Sequence, residues 1–119
     1  MGQVRDVMST QLHTVEPADT VGEAVAVMAQ HRVGSVLVME AGRLLGIFTE
    51  RDTVRALSQS HDAARHEIQS WMTHDPKTVG PDADAEAALR FMLDNGFRHL
   101  PVVDAGKVVG VVSMRDLAG

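Results

Sequence analysis

Two short stretches of the chain decide its organisation: residues 46–52 read GIFTERD, and residues 110–116 read GVVSMRD, 64 positions later. In each stretch a glycine is followed three positions on by a hydroxyl residue, and Arg-Asp follows after one further residue. Working outward, an ungapped shift of 64 positions aligns residues 4–55 with residues 68–119, with identical pairs such as Met8 and Met72. Self-similarity at one fixed spacing indicates a repeated structural unit. The chain therefore consists of two copies of one unit.

The repeat predicts a division into copy one at 1–57, a polar linker at 58–67 and copy two at 68–119. Each copy shows the order β-α-β-β-α, so the fold class is α/β (α+β), with two pseudo-symmetric units packed sheet to sheet around an aliphatic core. The predicted elements are strands at 12–15 and 77–79, helices that begin after the caps Thr20 and Asp84, hairpins at 35–49 and 100–113, and a last helix after each repeated stretch.

Copy two continues only to Gly119, three residues past Asp116. It is therefore expected to lack most of its last helix. Either the chain is trimmed, or a dimer covers the face that this helix would cover.

Composition excludes several classes of function. The chain has 119 residues, 45% of them apolar and 3% aromatic, and no cysteine, which excludes disulfides and a cysteine nucleophile. The net charge of −5 comes without a basic cluster, so nucleic acid is not an expected partner. No apolar run approaches the length of a membrane span, and the first residues read as mature sequence. A cytoplasmic location is the expectation.

The repeated hydroxyl-x-x-Asp pattern has two interpretations. Thr49 with Asp52, and Ser113 with Asp116, have the spacing of helix N-caps with an acid in the first turn, and Gly46 and Gly110 would then be close-packing glycines. The same atoms also suit a nucleoside phosphate. The hydroxyl can donate to phosphate or ribose, the carboxylate can accept from both ribose hydroxyls, and the glycine lets a planar base approach the backbone.

A basic pair favours the ligand interpretation. Arg98 and His99 precede a predicted strand and offer a guanidinium and an imidazole to a phosphate. Copy one has Gly34-Ser35 at the matching place, so the two copies are not equivalent as phosphate sites. Arg98 and His99 are expected to dominate, although a solvated pair at a strand edge is an equally simple interpretation.

The remaining polar and large side chains give weaker signals. The six histidines do not show metal-ligand spacing, and His13 and His31 are expected at the surface or a hairpin edge. Trp71 and the repeated methionines are expected to pack. No nucleophile elbow, P-loop or dinucleotide fingerprint is present, so neither catalysis nor a required cofactor is indicated.

Three motifs occur in order, namely VMST at 7–10, HRVGSVLV at 31–38 with GIFTERD after it, and FRHLPVVD at 97–104 with GVVSMRD after it. By these motifs the chain resembles tandem CBS domains over nearly its whole length. The resemblance implies two clefts between the units that bind adenosine ligands such as AMP, ADP, ATP, NAD or S-adenosylmethionine, and often a homodimer. It also implies residue roles. Ribose is bound by Asp52 and Asp116, ribose or phosphate by Thr49 and Ser113, phosphate by Arg98 and His99, and the adenine pocket is shaped by Thr14, Val15, Val36, Thr78, Val79, Leu100 and Pro101.

The leading hypothesis from the sequence is a non-enzymatic regulatory module that binds an adenine nucleotide and acts on an unidentified partner protein. One alternative is a ligand-free dimerisation or interaction module whose GxxTxxD motifs are only helix caps. A weaker alternative is an enzyme that acts on a nucleotide. Copy one has Val36-Leu37 where copy two has Leu100-Pro101, which makes occupancy of both clefts by the same ligand an open point.

Overall fold

The computed structural model describes residues 2–119. The chain forms two compact units: His13–Pro76 is one, and the residues up to Leu12 together with Lys77–Gly119 are the other. We call them the contiguous unit and the discontinuous unit. The mixed α/β fold predicted from the repeat is confirmed.

The contiguous unit contains a four-stranded sheet and two helices. Its elements are β1 (Thr14–Val15), α1 (Val21–His31), β2 (Ser35–Glu40), β3 (Arg43–Thr49), α2 (Glu50–Gln59) and β4 (Thr73–His74). The sheet order is β1-β2-β3-β4, with β1 parallel to β2 and the other pairs antiparallel. Short 3₁₀ turns at Ala63–Arg65 and Ile68–Ser70 connect α2 to β4.

The discontinuous unit repeats the same plan. It contains α3 (Ala85–Asn95), β5 (His99–Asp104), β6 (Lys107–Ser113) and the short helix α4 (Met114–Ala118), and a 3₁₀ turn at Val4–Asp6 packs with them. The strands β5 and β6 form an antiparallel hairpin whose register shift between Val102 and Val103 matches the shift between Val38 and Met39 in β2. The second unit thus copies the first down to the irregularity in its hairpin.

The first segment of each repeat packs in the unit formed mainly by the other repeat. Thr73 of copy two pairs with Ile47 of copy one, and Ser9 of copy one pairs with Val111 of copy two. Buried apolar side chains anchor both segments, since Ile68 belongs to the core of the contiguous unit and Val4 to that of the discontinuous unit. The two compact units therefore do not coincide with the two copies of the repeat. The division into copies with a linker at 58–67 describes the repeat in the sequence and stays a prediction.

Helix starts agree with the sequence. The Thr20 hydroxyl accepts from the backbone N–H of Glu23 at 3.1 Å, and the Glu23 carboxylate accepts from the Thr20 N–H at 3.0 Å, which completes the predicted capping box. The hydrogen bonds that the Glu23 carboxylate accepts from the Thr20 N–H and from the Thr20 hydroxyl lower the pKa of Glu23. Asp84 caps α3 through the backbone N–H of Ala87 at 2.9 Å. Behind the caps, Met28 and Met92 are buried as predicted.

The strand predicted at 77–79 is wrong, because this segment makes only a single parallel bridge between Val79 and Val102. In copy one the Leu37 N–H donates to the His13 carbonyl at 3.0 Å. The aligned donor in copy two is Pro101, which has no N–H to give. The predicted strand at 12–15 is likewise shorter, since β1 covers only Thr14–Val15.

Candidate functional site

In the discontinuous unit, strand pairing brings the predicted phosphate and ribose residues to one edge. His99 opens β5 and lies opposite Ser113, the last residue of β6. The Met114 N–H, at the start of α4, donates to the Arg98 carbonyl at 2.8 Å. A guanidinium-bearing residue, an imidazole and a hydroxyl therefore share the end of the hairpin where α4 begins. Asp116 lies in the first turn of that helix.

The contiguous unit has the same backbone at the corresponding edge but different side chains. Ser35 lies opposite Thr49, and the Glu50 N–H donates to the Gly34 carbonyl at 3.1 Å. Copy one thus presents Gly34-Ser35 where copy two presents a basic pair. The difference noted in the sequence lies at equivalent positions of the two units.

Both repeated motifs form complete capping boxes. The backbone N–H of Asp52 donates to the Thr49 hydroxyl at 3.3 Å, and Oδ2 of Asp52 accepts from the Thr49 N–H at 3.0 Å. Asp116 and Ser113 repeat these bonds at 3.0 and 2.9 Å. The helix-cap interpretation is confirmed. In both boxes the cap takes Oδ2 of the aspartate, so Oδ1 lies outside the cap and the carboxylate need not leave the helix end to accept a second group.

The two repeated glycines sit where another backbone passes closely. A Cβ on Gly46 would lie 2.7 Å from the Thr73 carbonyl oxygen, and a Cβ on Gly110 would lie 2.7 Å from that of Ser9. Both glycines thus permit the close approach of the segment contributed by the other repeat. Contact of either glycine with a ligand stays a prediction.

The residues predicted to shape an adenine pocket are mostly core residues. Val15, Val36, Leu100 and Pro101 are buried, whereas Thr14 and Thr78 are exposed. The main chain of Val79 bonds on both sides to β5, through the Pro101 carbonyl at 3.1 Å and the Val103 N–H at 2.9 Å. The buried side chains position main-chain atoms, and their role toward a base stays a prediction.

The CBS-domain family model matches residues 4–59 and again residues 66–119. The chain belongs to the CBS-domain family.

Relatives and solved structures agree over the full length of this CBS pair. The CBS domain-containing protein YhcV of Bacillus subtilis is 37% identical over 119 residues, which are 99% of this chain and 84% of YhcV. The structure of the CBS domain pair of protein MJ0100 with 5′-methylthioadenosine and S-adenosylmethionine has a TM-score of 0.90 at 26% identity, covering 99% of this chain and 94% of that one. The structure of CBSX2 with AMP has a TM-score of 0.85 at 26% identity and the same coverage.

Side chains that bind metals are not clustered in the described part of this CBS pair. Residues 2–119 contain no group of three or more His, Asp or Glu side chains that could hold a metal ion. His13 and His31 are instead a stacked pair with ring centroids 4.1 Å apart. Partial burial and then the neighbouring His31 lower the pKa of His13. His31 is exposed as predicted, and His13 is half-buried.

The CBS pair also contains a side-chain network that sequence reasoning missed. Arg55 donates to the Trp71 carbonyl at 2.7 Å, and its guanidinium carbon lies 5.5 Å from the centroid of the Trp71 ring. The same guanidinium lies 3.5 Å from Oδ1 of Asp52. Trp71 packs against the core of the contiguous unit, as expected of a lone tryptophan. The one available signal was the replacement of Val7 by Trp71 between copies.

Along residues 2–119, no helix is both long enough and apolar enough to cross a membrane.

Proposed function

We propose that this CBS pair is a non-enzymatic regulatory module that binds an adenosine-containing ligand at the starts of α2 and α4. One observation carries the proposal. In each copy the hairpin register places a hydroxyl residue at the helix start, and the aspartate behind it keeps Oδ1 outside the cap. Two solved CBS proteins with the same fold support it, because one holds AMP and the other holds 5′-methylthioadenosine and S-adenosylmethionine.

The discontinuous unit is the proposed stronger site. Asp116 accepts from the ribose hydroxyls through Oδ1, and Ser113 contacts ribose or phosphate. Arg98, exposed at the same edge, pairs with phosphate, and His99 adds a second donor. AMP, ATP and NAD share the ribose and phosphate groups that these residues would read, so all three are candidate ligands.

The proposal includes a homodimer and a regulated partner protein. Val54 and Leu57 on α2 are 69% and 48% exposed, and an interface between copies would cover them. A ligand shifts such an assembly only if it binds one conformation better than another. A cytoplasmic location is part of the proposal and fits a chain without cysteine.

A calorimetric titration with AMP, ATP, NAD and S-adenosylmethionine tests the proposal. Asp116→Ala should weaken binding by about 5- to 150-fold, because a hydrogen bond to a charged group contributes about 1–3 kcal/mol. Asp84→Ala is the matched control, since it removes a helix cap from the same unit without touching the site. It should lower the melting temperature and leave affinity unchanged. Equal affinity of the two folded variants would remove Asp116 from the site.

The complete capping boxes favour a second candidate, a ligand-free interaction module in which both motifs act only as helix caps. That candidate predicts no heat with any of the four ligands. It also predicts that Asp116→Ala and Asp84→Ala have the same kind of effect, a loss of thermal stability.

A further inference from the structure

Three contacts fix the guanidinium of Arg55 in the contiguous unit. Its Nη2 donates to the Trp71 carbonyl at 2.7 Å, and the group lies over the indole ring at 5.5 Å from the centroid. The same nitrogen lies 3.5 Å from Oδ1 of Asp52, one turn earlier on α2. A planar guanidinium that both stacks and donates is held in position more firmly than an ammonium group would be.

Trp71 is itself fixed from the other side. Its Nε1–H donates to Nδ1 of His66 at 3.0 Å, and Nε2 of His66 faces Oδ1 of Asp62 at 3.1 Å. Because Nδ1 accepts, the imidazole proton sits on Nε2 and points at the carboxylate. The indole ring therefore donates a hydrogen bond from its edge to His66, lies with one face against Arg55, and packs against the core of the contiguous unit.

The second copy has no equivalent of this arrangement. The repeat aligns Trp71 with Val7 and Arg55 with Gly119. Copy two instead has Arg98 immediately before β5, where copy one has Gly34. Besides Arg51 and Arg115 within the motifs, copy one has Arg55 on the helix that follows its motif, and copy two has Arg98 immediately before β5.

We propose that Arg55 is a positioning and specificity-determining residue for the ligand site at Asp52, and that it makes this site prefer phosphorylated nucleosides over uncharged ones. The inference rests on the proposed function and attributes to Arg55 the preference of the copy-one site for charged ligands. The Asp52 side chain is only 13% exposed, and its carboxylate alone would repel a phosphate bound nearby. Arg55 places a compensating positive charge beside it.

The geometry leaves Asp52 able to bind a ribose while Arg55 is in place. A charge-assisted hydrogen bond has a length of about 2.7–2.9 Å, so the 3.5 Å separation leaves lone pairs of Oδ1 for a hydroxyl donor. The Arg55 side chain is 46% exposed, which lets an anion approach it from solvent. Since exposed charges attract weakly, removing Arg55 should weaken anion binding by about two- to fivefold.

The test uses the full chain in an Asp116→Ala background, so that binding reports the Asp52 site. AMP and adenosine are titrated by calorimetry into this background and into the same protein with Arg55→Gln, Arg55→Lys or Arg65→Gln. Arg65→Gln is the matched control, because it removes an equal charge from the same unit at an exposed position. Trp71 is the only tryptophan and the chain has no tyrosine. Tryptophan fluorescence therefore reports changes around the Trp71 ring, over which Arg55 lies.

We expect Arg55→Gln to weaken AMP by about two- to fivefold relative to Arg65→Gln and to leave adenosine unchanged. Arg55→Lys should restore part of the AMP affinity, and AMP should change Trp71 emission less in Arg55→Gln than in the background protein. Equal losses for AMP and adenosine, or no loss for either, would overturn the inference while the proposed function stands. AMP binding to the wild type but not to the Asp116→Ala background would do the same. No binding of AMP, ATP, NAD or S-adenosylmethionine to the wild type would refute the proposed function and the inference together.

Discussion

Replacing Gly110 by alanine tests whether the close packing of the Ser9 segment on β6 contributes to stability. An added Cβ would lie 2.7 Å from the Ser9 carbonyl oxygen and 2.8 Å from Sδ of Met8. Ordinary contacts between such atoms are about 3.5–4.0 Å, so the segment must move away by several tenths of an ångström. The Met8 side chain can rotate, but the Ser9 carbonyl belongs to the backbone.

The cost of that movement can be worked from the contacts. Ser9 and Val111 exchange two backbone hydrogen bonds of 2.9 Å each, and both must lengthen or bend. Overpacking of this kind costs about 1–3 kcal/mol, and the lower entropy of the unfolded alanine chain offsets about 0.4–1 kcal/mol. We therefore expect Gly110→Ala to lower the free energy of unfolding by about 1–2 kcal/mol.

Urea unfolding of wild type, Gly110→Ala and Gly80→Ala measures this directly. Gly80 is the matched control, because a Cβ there would meet nothing within 4 Å and its φ is not positive. Gly80→Ala should be neutral or more stable by up to about 1 kcal/mol, the opposite sign from Gly110→Ala. If Gly110→Ala is as stable as Gly80→Ala, the close approach of the two backbones does not constrain the fold.

Three further predictions concern stability. Thr20→Ala should cost about 1 kcal/mol in urea unfolding through loss of the α1 cap, with Thr20→Ser as the variant that retains it. The lowered pKa of His13 means that the unfolded chain binds the proton first, so stability should fall as the pH drops below about 6.5. Melting temperatures of His31→Gln should show a smaller fall over this range, and an equal fall would exclude coupling between the rings. Met92→Ala should cost about 2–5 kcal/mol, whereas Leu93→Ala, at a 62% exposed position on the same helix, should be nearly neutral in the same assay.

The elements that the sequence predicted well are those whose signals are local. The Thr20 capping box, the Asp84 cap and both hairpins depend on residues within a few positions of one another, and all are found in the structure. The strand predicted at 77–79 failed because its existence depends on a donor in another strand, and Pro101 lacks that donor. A segment with a strand-like sequence forms a strand only if a neighbouring strand offers the matching hydrogen-bond donors and acceptors.

The candidate site also contains features with local sequence signals and features that depend on distant residues. The caps at Asp52 and Asp116 follow from spacing alone, and the ungapped repeat predicts that the two edges are equivalent in backbone. The contacts of Arg55 could not be predicted from the motif, since its hydrogen-bond acceptor is the Trp71 carbonyl, sixteen residues away. Only the folded chain shows which oxygen of each aspartate the cap occupies.

The exchange of first segments between the repeats sets an order of events during synthesis. The contiguous unit ends at Pro76, so every residue of its sheet exists before Lys77 is added. The backbone partner of Val4 is Ala83 and that of Ser9 is Val111 in β6, so neither partner exists when the contiguous unit ends. The 35 residues from Lys77 to Val111 take about 2–7 s at about 5–20 residues per second. During that interval the segment before the contiguous unit carries Val4, an apolar side chain that is fully buried in the folded protein. The segment that contains Val4 and Ser9 is thus translated before the contiguous unit and reaches its final place only after that unit is complete.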